Sequence, residues 1–316
     1  MLIALLSLII LSCSKENNKQ AQPKDCTSNF QEHPKAIACQ ALLDKYTNDG
    51  FAGISILIDS PTDGLWMGSS GFANLESNKK MNACNTHHTA SLYKTYTATI
   101  IMQLVEEDKI NLDDKLASYL SSDITDSVPN GNKVSIRNLL QHRSGIPDIF
   151  EEEFVNDFFG NPTRAYTIHE LLAYIYDKEP LSDVDTQFHY SDANYSLLTL
   201  VIENVESNYA EAIRSRIFDP LKLTNTYFLE DPSQAPASLA DSYWDSNGDN
   251  ILENNSIIQT ALTAGLTGSD GIVTTALDLK TFIQALAKGE LVKDLNAMTD
   301  FLEVPDEVQQ TEVYKG

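Results

Sequence analysis

Two β-rich runs, residues 53–59 (Gly-Ile-Ser-Ile-Leu-Ile-Asp) and 65–68 (Leu-Trp-Met-Gly), are separated by the turn-forming segment Ser60-Pro61-Thr62-Asp63-Gly64. That arrangement predicts an antiparallel hairpin. Two strands alone are marginal, so the ribbon must pair further or be covered. Ahead of it, Ile37, Ala38, Ala41, Leu42 and Tyr46 recur at helical spacing and stop at Asn48-Asp49-Gly50, where glycine favours a helix end. After it, residues 91–110 predict a helix of about five turns with Ala98, Ile101, Met102 and Val105 in its apolar stripe. Helix candidates follow at 168–176, 195–206 and 210–217, and Pro220 is expected to break the last. A helix, a strand pair and then a long helical block predict an α/β layer interrupted by a mostly helical insertion.

At 316 residues, 42% hydrophobic and 21% charged, the chain has material for a full core. Its 45 acidic residues against 22 basic ones give a formal charge of -23. Such a surface repels phosphates, so no nucleic acid is expected as a partner. The six histidines form no H-x-x-x-H pair and no cysteines form a C-x-x-C pair, so no structural metal is expected. Residues 245–253 space oxygen ligands like a calcium loop. They lack glycine at the sixth position, and Ser256 stands where a calcium loop has glutamate, so a polar turn is expected.

Residues 1–12 form an apolar run too short to span a bilayer, followed by Cys13 and a polar stretch. Ile10-Leu11-Ser12-Cys13 resembles a bacterial lipobox, although no Lys or Arg precedes the run. The resemblance implies a signal at 1–13, lipid on Cys13, a flexible tether over 14–28, and an exported lipoprotein anchored at the outer or cytoplasmic membrane. Cys26, Cys39 and Cys84 then lie where disulfides persist, and any of three pairings leaves one thiol over.

Ser91-Leu92-Tyr93-Lys94 places a hydroxyl and an amine one helical turn apart. A serine hydroxyl needs a base to become a nucleophile, and a lysine serves only if burial or a neighbouring cation depresses its pKa. The start of a helix adds free backbone N–H groups for a developing oxyanion. The motif alone is weak, but its surroundings are specific. Thr89-Ala90-Ser91-Leu92-Tyr93-Lys94-Thr95-Tyr96-Thr97-Ala98 resembles the nucleophile segment of the serine β-lactamase, penicillin-binding and esterase family. Four further segments resemble that family's motifs in its order. They are Leu139-Leu140-Gln141-His142-Arg143-Ser144-Gly145, Phe188-His189-Tyr190-Ser191-Asp192-Ala193-Asn194-Tyr195, Phe218-Asp219-Pro220-Leu221-Lys222-Leu223-Thr224-Asn225-Thr226 and Gly271-Ile272-Val273-Thr274-Thr275-Ala276-Leu277-Asp278-Leu279.

The resemblance implies a β-lactamase/transpeptidase-like α/β fold, an antiparallel sheet flanked by helices with an inserted helical subdomain. Residues 29–111 and 252–316 would form the α/β part and 112–251 the insertion. It also implies acylation of Ser91 by a small-molecule or peptide substrate, at an amide, ester or β-lactam carbonyl, with Lys94 and Tyr190 as a coupled base and no metal or organic cofactor. Asp192 takes the substrate-binding position where the family's Y-x-N motif has asparagine. A carboxylate only accepts hydrogen bonds and would favour a charged Lys94, which weakens a β-lactamase reading more than hydrolysis in general. The family's K-T-G or H-x-G strand does not follow Asp278, and residues 311–316 resemble the start of the strand before it. The expectation is of a truncated form, poorly stable and inactive without the strands that finish the sheet. The alternative is a non-catalytic cell-envelope binding protein on the same scaffold.

Overall fold

The computed structural model describes residues 26, 30–164, 166–266, 268 and 270–294. The proposed signal with Cys13, the tether apart from Cys26, and the strand expected at 311–316 lie outside the described residues. The first helix, α1 (Ala36–Asn48), is followed by β1 (Gly53–Ser60) and β2 (Gly64–Asn74). These strands pair antiparallel from Gly53 opposite Gly71 to Ser60 opposite Gly64, as the hairpin signal predicts. Gly64 has φ +87°, a conformation in which a Cβ would be strained. β3 (Lys79–Lys80) extends this sheet to the order β1-β2-β3. Gln40 Nε2 donates to the Ser69 carbonyl at 3.0 Å, holding α1 on β2.

After β4 (His87–His88), the chain enters a 3₁₀ turn, Ala90–Leu92, and then α2 (Tyr93–Glu106). The expected helix over 91–110 is therefore shorter at both ends. At its far end Asp108 takes φ +57°, and the Lys109 N–H turns back to the Leu104 carbonyl at 2.9 Å, which stops the helical ladder. A helical block follows, with α3 (Ser122–Thr125), α4 (Ile136–Leu140), α5 (Glu152–Gly160) and α6 (Ile168–Ala173). Capping boxes start α4 at Ser135 and α6 at Thr167.

The central helix of the block is α7 (Asp192–Glu206), which begins three residues before the apolar periodicity does. The reason is tertiary, since Asp148 Oδ1 accepts the Asp192 N–H at 2.9 Å. The helix expected at 210–217 is α8 (Tyr209–Ile213) running into a π-helical turn, Arg214–Phe218, and then the single turn α9 (Asp219–Leu221). Pro220 does not break this run, because it sits in the first turn of α9, where its missing N–H costs nothing.

The rest of the described chain is β5 (Tyr227–Phe228), β6 (Tyr243–Trp244), β7 (Glu253–Asn254), α10 (Ser256–Gly265), β8 (Ile272–Thr274) and α11 (Ala276–Ala287). β8 is the middle strand of a second small sheet, β4-β8-β5, and β6 pairs with β7. Between them lies the polar turn expected around Asp245, whose carboxylate accepts backbone N–H groups of Gly248, Asp249 and Asn250. Lys280 and Gln284 of α11 both reach Asp59 of β1, at 3.2 and 2.7 Å. Cys26 bonds to Cys84, one of the three open pairings, and Cys39 is free.

Candidate active site

α2 and α7 are buried nearly all round, from Tyr93 to Met102 and from Asp192 to Ile202. Helices with so little polar face belong at the centre of a core. Packing them together brings their N-terminal ends to one place. Ser91 and Lys94 stand at the start of α2, and Tyr190 and Asp192 at the start of α7.

Ser91 is exposed and half-buried Tyr190 faces it, with Ser91 Oγ 2.7 Å from Tyr190 Oη. Lys94 Nζ donates to the same Ser91 oxygen at 3.2 Å. Lys94 Nζ also lies 2.5 Å from Asp192 Oδ1 and 5.1 Å from the centre of the Tyr190 ring. The four residues singled out in the sequence thus form one constellation. Immediately before Ser91, Ala90 takes φ +46°, which costs a non-glycine residue about 1–2 kcal/mol. Thr89 anchors that bend, its N–H and its Oγ1 both bonding the Ile272 carbonyl at 3.0 Å.

The segment around His142 supports Tyr190 from behind. The His142 and Tyr190 rings stack with centroids 4.5 Å apart. His142 Nδ1 accepts the Ser191 N–H at 3.2 Å and lies 3.1 Å from Asn194 Nδ2, while Asn194 Oδ1 accepts from Ser144 at 2.7 Å. That pattern assigns the ring proton to Nε2. Gly145 is required where it is. Its φ is +69°, and a Cβ there would meet the Ser182 carbonyl oxygen at 2.2 Å.

The electrostatics follow what a carboxylate at position 192 implies for Lys94. Burial works against the Lys94 ammonium, but the Asp192 carboxylate and the Tyr190 phenol outweigh it and raise the Lys94 pKa above its ordinary value. The Asp192 carboxylate thus favours the charged form of Lys94. Burial raises the Tyr190 phenol as well, with Lys94 pulling it down and Asp192 pushing it up. His142 is driven down to about 3 by burial and then by Lys94. Asp270, just before β8, is pushed up to about 6 by burial.

His142, Asp148 and Asp270 were not given roles from the sequence. His142 lies inside a quoted motif, which was its only signal. The last two motifs serve the scaffold, since Thr226 Oγ1 donates to Asp278 Oδ2 at 3.0 Å and the Asn225 N–H to the same oxygen at 2.8 Å. Among the described residues no group of three or more His, Cys, Asp or Glu is arranged to hold a metal ion.

Comparison with known proteins agrees with this architecture. The family described as Beta-lactamase matches residues 40–306. PbpX of Bacillus subtilis is 26% identical over 284 residues, covering 88% of this chain and 66% of PbpX. Protein flp of Staphylococcus aureus (strain MRSA252) is 30% identical over 190 residues, 58% of this chain and 36% of flp. The chain therefore spans just under two thirds of one curated relative and about a third of the other. A D-stereospecific amidohydrolase from Streptomyces sp. superimposes with a TM-score of 0.71 at 27% identity, over 82% of this chain and 75% of that one. The β-lactamase/transpeptidase-like fold, with its helices packed around antiparallel strands, is thus what the chain adopts. On a match that runs through both helix starts of the site and most of the sequence, the chain belongs to the β-lactamase family.

Proposed function

We propose that this protein is a serine hydrolase that forms an acyl-enzyme on Ser91 from an amide or ester carbonyl. The observation that carries the reading is an exposed Ser91 Oγ held 2.7 Å from Tyr190 Oη and 3.2 Å from Lys94 Nζ. Those distances are within reach for general-base removal of the hydroxyl proton. In acylation the Ser91 Oγ–carbon bond forms and the bond from that carbon to the leaving group breaks. The proton taken from Ser91 by the Lys94–Tyr190 pair passes to the leaving group. Water then repeats the sequence on the ester, releasing the acid and restoring Ser91.

Support for amides and esters ahead of β-lactams comes from Asp192, a carboxylate that cannot donate to a substrate carbonyl as an amide could. The Streptomyces neighbour, named for amide hydrolysis, points the same way. The test is turnover of a p-nitrophenyl ester, an amino-acid amide and a chromogenic cephalosporin by the wild type and Ser91→Ala. Ester or amide turnover that disappears in the variant is expected. Turnover unchanged in Ser91→Ala contradicts the proposal. A second reading, a binding protein on the same scaffold, is favoured by the 2.5 Å Lys94–Asp192 pair, which occupies the amine. It predicts no turnover and retained affinity for acyl ligands.

A further inference from the structure

We propose that Asp192 is a positioning residue that keeps Lys94 an ammonium through the reaction, leaves Tyr190 to take the Ser91 proton, and so sets the pH at which acylation switches on. The inference rests on the acyl-enzyme reading above and deepens it. Its basis is a buried contact between the charged ends of Lys94 and Asp192, with Ser91 Oγ placed between Lys94 Nζ and Tyr190 Oη. Lys94 and Asp192 are 7% and 8% exposed, and their charged atoms touch. With one N–H on Asp192, Lys94 spends another on Ser91 Oγ. An amine that donates to a hydroxyl oxygen does not accept that hydroxyl's proton. With Lys94 an ammonium, Tyr190 Oη, 2.7 Å from Ser91 Oγ, is the neighbouring oxygen that can accept the Ser91 proton once ionised.

For Tyr190 to accept, it must first lose its own proton to solvent. The phenolate then takes the Ser91 proton as the Oγ–carbon bond forms, and returns it to the leaving group as that bond breaks. Lys94 keeps its charge throughout and no oxidant or reductant is involved. What decides when Tyr190 ionises is the set of groups around it. From α7 these are Asp192 and Tyr195, whose ring centre lies 5.8 Å from Lys94 Nζ. From the chain after α4 they are His142, neutral and stacked on Tyr190, and Asp148, which holds the Asp192 N–H. From the turn before β8 the group is Asp270, which feels both Lys94 and Asp192. Lys94 is the cation of this set, and Asp192 is the carboxylate it touches. The carboxylate cancels much of the pull that the ammonium would exert on the phenol.

Replacing Asp192 by asparagine keeps the shape and removes the charge. Tyr190 then sits beside an uncompensated ammonium, and Lys94 also gives up its proton more readily. Both effects move the base titration down. The experiment measures the rate constant for acylation by an activated ester against pH in the wild type, Asp192→Asn and Asp192→Glu. The rising limb should move to lower pH by about one unit or more in Asp192→Asn and stay near the wild-type position in Asp192→Glu. A limb unmoved in Asp192→Asn, or moved equally in both variants, overturns the inference. Loss of labelling specificity for Ser91 would instead overturn the acyl-enzyme reading, so the two failures are distinguishable. If the variants do not fold, 15N-lysine NMR of the wild type decides the matter, with Lys94→Arg to assign the signal. Lys94 should keep an ammonium signal through the pH range in which acylation rises. Loss of that signal in step with the rise overturns the inference.

Discussion

The rings of His142 and Tyr190 stack at 4.5 Å between centroids, with 28° between their planes. The contact joins the Tyr190 phenol to the buried polar network of Ser144, Asn194 and Ser191. Tyr190 is thus placed by the packing of two segments far apart in sequence, with its hydroxyl 2.7 Å from Ser91 Oγ.

Tyr190→Phe and Lys94→Ala should each slow acylation by about 10²-fold or more, the usual size of a general-base contribution. Stopped-flow acylation with an activated ester measures both. Rates within a few-fold of wild type for both variants would place the base elsewhere.

Buried histidines set the acid side of stability. His142 is lowered from 6.5 to about 3 and His88 to about 4, both chiefly by burial. Unfolded chains bind these protons at a higher pH than the native state does, so the two histidines make stability fall as pH drops below about 6.5. Asp270 acts oppositely. Its carboxyl is raised from 3.8 to about 6, so the native state binds its proton first and loses stability as pH rises through that window. Urea midpoints should therefore decline between pH 6.5 and 4. In Asp270→Asn, which lacks the opposing group, the decline should be steeper. A shallower decline in Asp270→Asn would contradict these assignments.

Much of the site was legible because its residues sit in short local patterns. Ser91 and Lys94 are one turn apart, and Asp192 announced itself as a departure from asparagine. The hairpin was legible from the turn residues Ser60–Gly64 between two β-rich runs. What the sequence did not show depends on distant partners. The 3₁₀ turn under Ser91 follows from Thr89 bonding Ile272, and the early start of α7 follows from Asp148. The π-helical turn at Arg214–Phe218 has no local signature. Its Phe218 lies edge-on to Tyr96, which itself stacks on Phe282 at 3.7 Å, so packing against α2 and α11 accompanies it.

The Cys26–Cys84 bond joins residues 58 apart in sequence. Closing such a loop restricts the unfolded chain, so its loss should cost about 2–4 kcal/mol. Thermal melting of the double variant Cys26→Ser/Cys84→Ser should show a clear drop, and Cys39→Ser should melt as wild type. Equal melting of the double variant would show that the bond carries no stability.

Lipid on Cys13 remains our proposal for how the protein is held at a membrane, on the strength of the lipobox-like Ile10-Leu11-Ser12-Cys13. One acyl chain binds marginally and several bind durably, at about 0.8 kcal/mol per buried CH₂. Detergent partitioning of the expressed protein should place it with membranes, and Cys13→Ser should shift it to the aqueous phase. Identical partitioning of the two would remove lipidation from the account.

The central claim is that Ser91 carries the acyl group. It is tested most directly by incubating the protein with a fluorophosphonate or fluorescent penicillin probe and mapping the adduct by peptide mass spectrometry. The account predicts one adduct, on the peptide containing Ser91, absent in Ser91→Ala. An adduct on another residue, or equal labelling of Ser91→Ala, would contradict it.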